Sequence, residues 1–91
     1  MAATTFGTRT NITRVAPTTT PAALVVSRAR GGVAFHNLGT VAVYLGTTSA
    51  VTSSTGWQLA IGEKIIDNGT EEAIYAVTAS GTGDVGVYES Y

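Results

Sequence analysis

The 91-residue chain has no cysteine, so disulfides, thiolate nucleophiles and cysteine metal sites are all excluded. It has a single histidine, His36, too few for a histidine-based metal site without several well-placed acids. Leucine and lysine are scarce, and no apolar run approaches the roughly 18 residues needed to cross a bilayer as a helix. The first residues, Met1-Ala2-Ala3-Thr4-Thr5, lack the basic and apolar regions of a secretory signal, so none is expected. Both prolines fall early, at Pro17 and Pro21. What is abundant is Thr, Val, Ala and Gly. Branched β-carbons suit a pleated surface, so the composition favours strands.

The best-marked stretch runs from Gly32 to Gly46. Two alternating apolar segments, Gly32–Asn37 and residues 40–45, flank Asn37-Leu38-Gly39-Thr40. Alternation predicts half-buried strands, and Asn and Gly tolerate the positive φ of a tight reversal. The expectation is a β-hairpin with Val33, Phe35, Val41, Val43 and Leu45 on the core face and Ala34, His36, Ala42 and Tyr44 on the other. Further strands are expected at residues 22–27, 56–59, Lys64–Asp67, 73–79 and 84–89. Turns are marked by Arg28-Ala29-Arg30-Gly31, Ala60-Ile61-Gly62-Glu63, Asn68-Gly69 and Ser80-Gly81-Thr82-Gly83. Residues 46–55, rich in Thr and Ser with Val51 as their one large apolar group, read as a loop or loose edge. The fold class predicted is all-β: a small antiparallel β-sandwich or barrel of six to seven short strands.

Residues 1–21 read as an extended N-terminal arm, and residues 22–91 as the β-sandwich domain. The arm has few large apolar groups (Phe6, Ile12, Val15) and does not build a core of its own. Residues 10–15 alternate weakly and suit addition to a sheet edge. Charge is divided along the chain. Arg9, Arg14, Arg28 and Arg30 precede Gly31; Lys64 and all six acids follow it. One reading is an arm lying on an acidic neighbour, such as another copy of the chain, with Phe6, Arg9, Ile12, Arg14 and Val15 as its contacts. Other readings are a solvated tail, or an arm that packs back on its own body.

Catalytic patterns are missing. His36 has no nearby nucleophile or orienting acid, Glu71-Glu72 would point to opposite faces of a strand, and Gly81-Thr82-Gly83 fits no phosphate-binding loop. No serine stands in Gly-x-Ser-x-Gly. The dispersed arginines do not form the basic, aromatic-studded patch of a nucleic-acid binder. No enzyme activity, cofactor, nucleic acid or membrane is expected. Trp57 is open to two readings, a docking anchor or a lid on the core. Tyr88 and Tyr91 likewise suit either a neighbour or an edge.

Three segments in order carry a resemblance: the Asn-x-Gly-Thr turn at Asn37-Leu38-Gly39-Thr40 between alternating strands, Gly56-Trp57-Gln58-Leu59-Ala60-Ile61-Gly62-Glu63, and Tyr75-Ala76-Val77-Thr78-Ala79-Ser80-Gly81-Thr82. Over about two thirds of its length the chain resembles small β-domains of tailed-bacteriophage structural modules. The resemblance implies a virion structural protein assembled in the host cytoplasm. The favoured role is a capsid decoration or cement subunit on the capsid surface that self-associates as a homo-oligomer, contacts the major capsid protein or other virion subunits, and stabilises the capsid through its β-domain and N-terminal arm. It carries over no catalytic residues. Trp57 departs from the smaller aliphatic residue expected there, and the arm lies outside the likeness. Alternatives are a head–tail connector or tail-surface subunit, and a carbohydrate- or receptor-binding module using Trp57 with Tyr44 and Tyr75.

Overall fold

The computed structural model describes residues 9–68 and 70–91. Eight strands form two antiparallel four-stranded sheets packed as a sandwich: β1 (Thr10–Val15), β2 (Ala22–Val25), β3 (Gly32–Asn37), β4 (Val43–Gly46), β5 (Trp57–Leu59), β6 (Lys64–Asp67), β7 (Ile74–Val77) and β8 (Val85–Ser90). The first sheet has the order β1-β8-β3-β6 and the second β2-β7-β4-β5. The all-β class holds, with one or two strands more than expected.

The core lies between the sheets. Val33 and Phe35 of β3 and Val85 and Val87 of β8 meet Val43, Leu45, Leu59, Ala76, Leu24 and Val25 of the second sheet. Alternation explains this directly, because every second side chain of β3, β4 and β8 points inward. On β2 a register shift between Ala23 and Val25 lets two successive residues, Leu24 and Val25, both turn inward.

The expected hairpin of β3 and β4 does not form. β3 pairs with β6 and β8, whereas β4 pairs with β5 and β7 in the opposite sheet. Val33, Phe35, Val43 and Leu45 are core residues as expected, but they face one another across the core instead of lying side by side; Val41 is only half-buried. The reason is local. Neither Asn37 nor Gly39 has positive φ, so no tight reversal occurs there. Asn37 is instead buried as a pin: its Nδ2 donates to Val41 O (3.0 Å) and Leu59 O (2.9 Å), and its Oδ1 accepts from Gly39 N (3.0 Å). The chain thus crosses from one sheet to the other. Gly39 is needed for close approach, since a Cβ there would come within 2.9 Å of the Asp84 amide nitrogen.

The edge strand expected at residues 10–15 forms, and the edge it joins belongs to its own chain. β1 pairs along its whole length with β8 of the same chain, from Thr10↔Ser90 to Val15↔Val85. Main-chain hydrogen bonding supplies what the sparse side chains lack, and Val15 packs against the core. The following linker is tied down by Gly83 N to Pro17 O (2.7 Å) and Thr78 N to Thr18 O (2.9 Å), with Pro17 buried. Residues 10–18 therefore belong to the sandwich.

Candidate functional site

The two sheets present very different outer faces. Over the second sheet the loop of residues 47–56 folds back. Its Val51 is buried against the outward side of Gly46 and Gly56, where an added Cβ on either glycine would collide with the valine side chain. The loop is held by its own threonines: Gly56 N donates to Thr52 O (2.9 Å) and Thr52 N to Thr55 Oγ1 (3.0 Å). Of the two readings of this stretch, a loop or a loose edge, it is the loop, and a bonded one that covers the sheet.

On the outer face of the first sheet the Leu38 side chain leans over Gly86, but the large side chains of the central row stay exposed. The registers place Ile12, Tyr88, Ala34 and Ile66 in one row across all four strands. Ile12 is 70% exposed, Tyr88 49% and Ile66 69%. Ala34 is the one small residue in the row. With Gly32 it floors a shallow groove of about 460 Å³ walled by Tyr88 and Ile66. Two residues along the strands to one side stand Thr10, Ser90 and Gly32. Two residues to the other side stand Arg14, Gly86, His36 and Lys64, with the 43% exposed Leu38 leaning over Gly86. An outward sheet face that meets only water is expected to be polar, so three large apolar side chains in one row make this a candidate contact surface.

A second apolar feature lies on the flank where the edge strands β5 and β6 leave the sandwich open. Phe35, Leu45, Ile65 and Ile74 line a crevice of about 200 Å³, with Trp57 and Asp67 also on its walls. Trp57 is 67% exposed, so it stands at the rim and does not seal the core. The volume is that of about one large side chain.

Of Arg9 and Arg14, expected to reach a neighbour's acids, Arg14 is placed against an acid of its own chain. Arg14 forms a bidentate pair with Asp84, Nε to Oδ1 at 2.8 Å and Nη2 to Oδ2. Both groups are at the surface, and the hydrogen bond from Arg14, reinforced by its charge, holds the Asp84 carboxyl below its ordinary value. Glu89 is 1% exposed on the inward side of β8. The buried Arg30 donates Nε to Glu89 Oε2 (2.8 Å), Nη1 to Thr70 O (2.9 Å) and Glu72 O (3.1 Å), and Nη2 to Val26 O. Arg28 Nε lies 3.3 Å from the same carboxylate oxygen without hydrogen-bond geometry, and its guanidinium sits 4.2 Å above the Tyr91 ring. Arg28 and Arg30 are thus part of the fold and not a free basic patch.

Of the residues singled out in the sequence, Ile12 and Tyr88 meet in the exposed row, and Trp57 stands apart at the crevice. Val15 is in the core rim. Arg9 is exposed and bonds Tyr91 through the main chain (2.8 and 2.9 Å), and the Tyr91 ring is half-buried under Arg28. Phe6 lies outside the described residues. His36 stands on the outer face, and among the described residues no group of three or more His, Cys, Asp or Glu is placed to hold a metal. Sequence reasoning missed Ile66 and the small-residue floor beside it, because only the register of β6 on β3 decides which of Ile65 and Ile66 points outward. The chain matches no protein-family model, no curated protein and no solved structure.

Proposed function

We propose that this chain is a structural subunit that works by surface association: a phage capsid decoration or cement protein. The observation that supports this reading best is the bare row Ile12–Tyr88–Ala34–Ile66 on one face, with the Trp57 crevice as a second apolar surface on a flank. A subunit that ties a lattice needs two separate contact surfaces, one for its own kind and one for the shell. Burial and shape fit are the whole of the chemistry required. The likeness of the Asn37–Thr40, Gly56–Glu63 and Tyr75–Thr82 motifs to phage structural domains supplies the virion context.

The test is to purify particles from a host making this chain and count its copies by quantitative mass spectrometry, then image particles with and without it. The expected result is many copies per particle on the head surface. A few copies at a vertex or on the tail would support a connector or tail-surface role instead. Absence from particles would overturn the reading. Because Trp57 is so exposed, glycan-array binding lost on Trp57→Ala would favour a carbohydrate-binding module.

A further inference from the structure

We propose that the outer face of the first sheet is where two copies of this chain pack on each other, related by a twofold axis lying in the contact plane along the strands. This deepens the structural-subunit reading by assigning one of its two surfaces to self-contact, but it stands on the geometry of that face alone.

The row reads large, large, small, large: Ile12, Tyr88, Ala34, Ile66. A twofold axis along the strands reverses the row on the second copy. Tyr88 then lies over Ala34 of the second copy and enters the groove floored by Gly32 and Ala34, and Ile12 lies over Ile66 of the second copy. The largest side chain meets the smallest twice, and the branched residues meet at the ends. The layer is therefore even along this row, as sheet packing at about 10 Å requires; the Leu38 side chain over Gly86 of one copy faces His36 of the other. An axis across the strands would instead stack Tyr88 on Tyr88 and leave a void between the two Ala34 methyls, which packing disfavours.

Charge agrees with the same axis. Reversal brings the exposed Lys64 of one copy over the corner held by Arg14 and Asp84 of the other. That corner is neutral, and a carboxylate has lone pairs to spare beyond a bidentate arginine. Lys64 therefore meets an acceptor and not a bare cation.

The area fits a weak, transient contact. Three strands of six residues and one of four, at about 4.8 Å spacing and about 3.3 Å rise, give a face of roughly 350 Å² in projection. Two copies then cover about 700 Å² before the relief of the protruding side chains is added, below the ~1,000 Å² of a stable specific contact. The expected dimer is reversible and concentration-dependent.

Sedimentation velocity of the full chain from low to high micromolar concentration is the direct test. The wild type should pass from monomer to dimer, and Ile66→Lys should weaken the dimer by roughly tenfold or more without changing the circular dichroism spectrum. Because the chain has no cysteine, the axis is testable by single-cysteine variants and a short bis-maleimide. A mixture of Ile12→Cys and Ile66→Cys should cross-link to each other, and Ile12→Cys alone should not. A wild type that stays monomeric throughout overturns the proposal whatever the variants do. Efficient self-linking of Ile12→Cys overturns the axis. A monomer that still occupies particles in many copies would leave the structural-subunit reading standing; a dimer absent from particles would do the opposite.

Discussion

The two outer faces of this sandwich are built from similar residues and finished differently. On the second sheet, Val51 is brought down by its own loop onto Gly46 and Gly56, and the apolar surface is closed within the chain. On the first sheet Ile12, Tyr88 and Ile66 remain open, with nothing from residues 9–68 or 70–91 laid across them. In the proposed dimer an apolar side chain therefore serves folding on one face and association on the other. What separates the roles is not hydrophobicity but whether the chain supplies its own cover.

The largest effect should come from the layer beneath both faces. Glu89→Ala would leave Arg28 and Arg30 without their carboxylate in a buried setting, which costs about 3–5 kcal/mol and threatens the fold itself. Chemical denaturation monitored by circular dichroism measures it. Next comes Val51→Ala, which removes the plug of the covered face. About 2 kcal/mol of stability and several degrees of Tm should be lost, with no change in self-association. Ile66→Lys is the matching change on the open face. Stability should stay within about 0.5 kcal/mol of the parent in the monomer, while the dimer weakens. Equal destabilisation by the Val51 and Ile66 changes would erase the distinction between the faces.

The smallest effect concerns Arg14→Ala, which removes the hydrogen bond and charge that depress the Asp84 titration. The folded-state value of Asp84 is lowered, so its contribution is present above the unfolded-state titration and is lost as pH falls through the lowered folded one. With Arg14 removed, the Asp84 carboxyl should titrate nearer its ordinary value, read by carbon NMR of the side-chain carboxyl. Because both groups are solvent-exposed, little stability should change at neutral pH.

Much of the architecture was legible in alternation. The limits of β3 and β6 coincide with those expected, and β2, β4, β5, β7 and β8 fall within a few residues. Pairing partners were not legible. Asn37-Leu38-Gly39-Thr40 carries turn residues in a hairpin order, yet whether such a segment reverses within a sheet or crosses between sheets depends on what Asn37 can bond at Val41 and Leu59, one of them distant in sequence. The edge strand at Thr10–Val15 was legible as a weak alternation, but which edge it joins was not, because its attachment is through main-chain groups that every residue has. One signal was available and unused: Val85, Val87 and Glu89 occupy successive inward positions of β8. An acid there requires a buried cation, and Arg28 and Arg30 lie just ahead of the neighbouring strand. Of the contact row, Ile12 and Tyr88 were recognisable as candidates, but nothing short of the registers aligns them with Ala34 and Ile66.

β1 and β8 run antiparallel, and Arg9 and Tyr91 meet at the same end of that pair. A pulling force applied between those two residues acts at right angles to the strands, so the ladder opens one rung at a time like a zip instead of shearing all at once. The sandwich is mechanically soft along that line. Under tension β1 can peel away, exposing the edge of β8, before the core begins to yield.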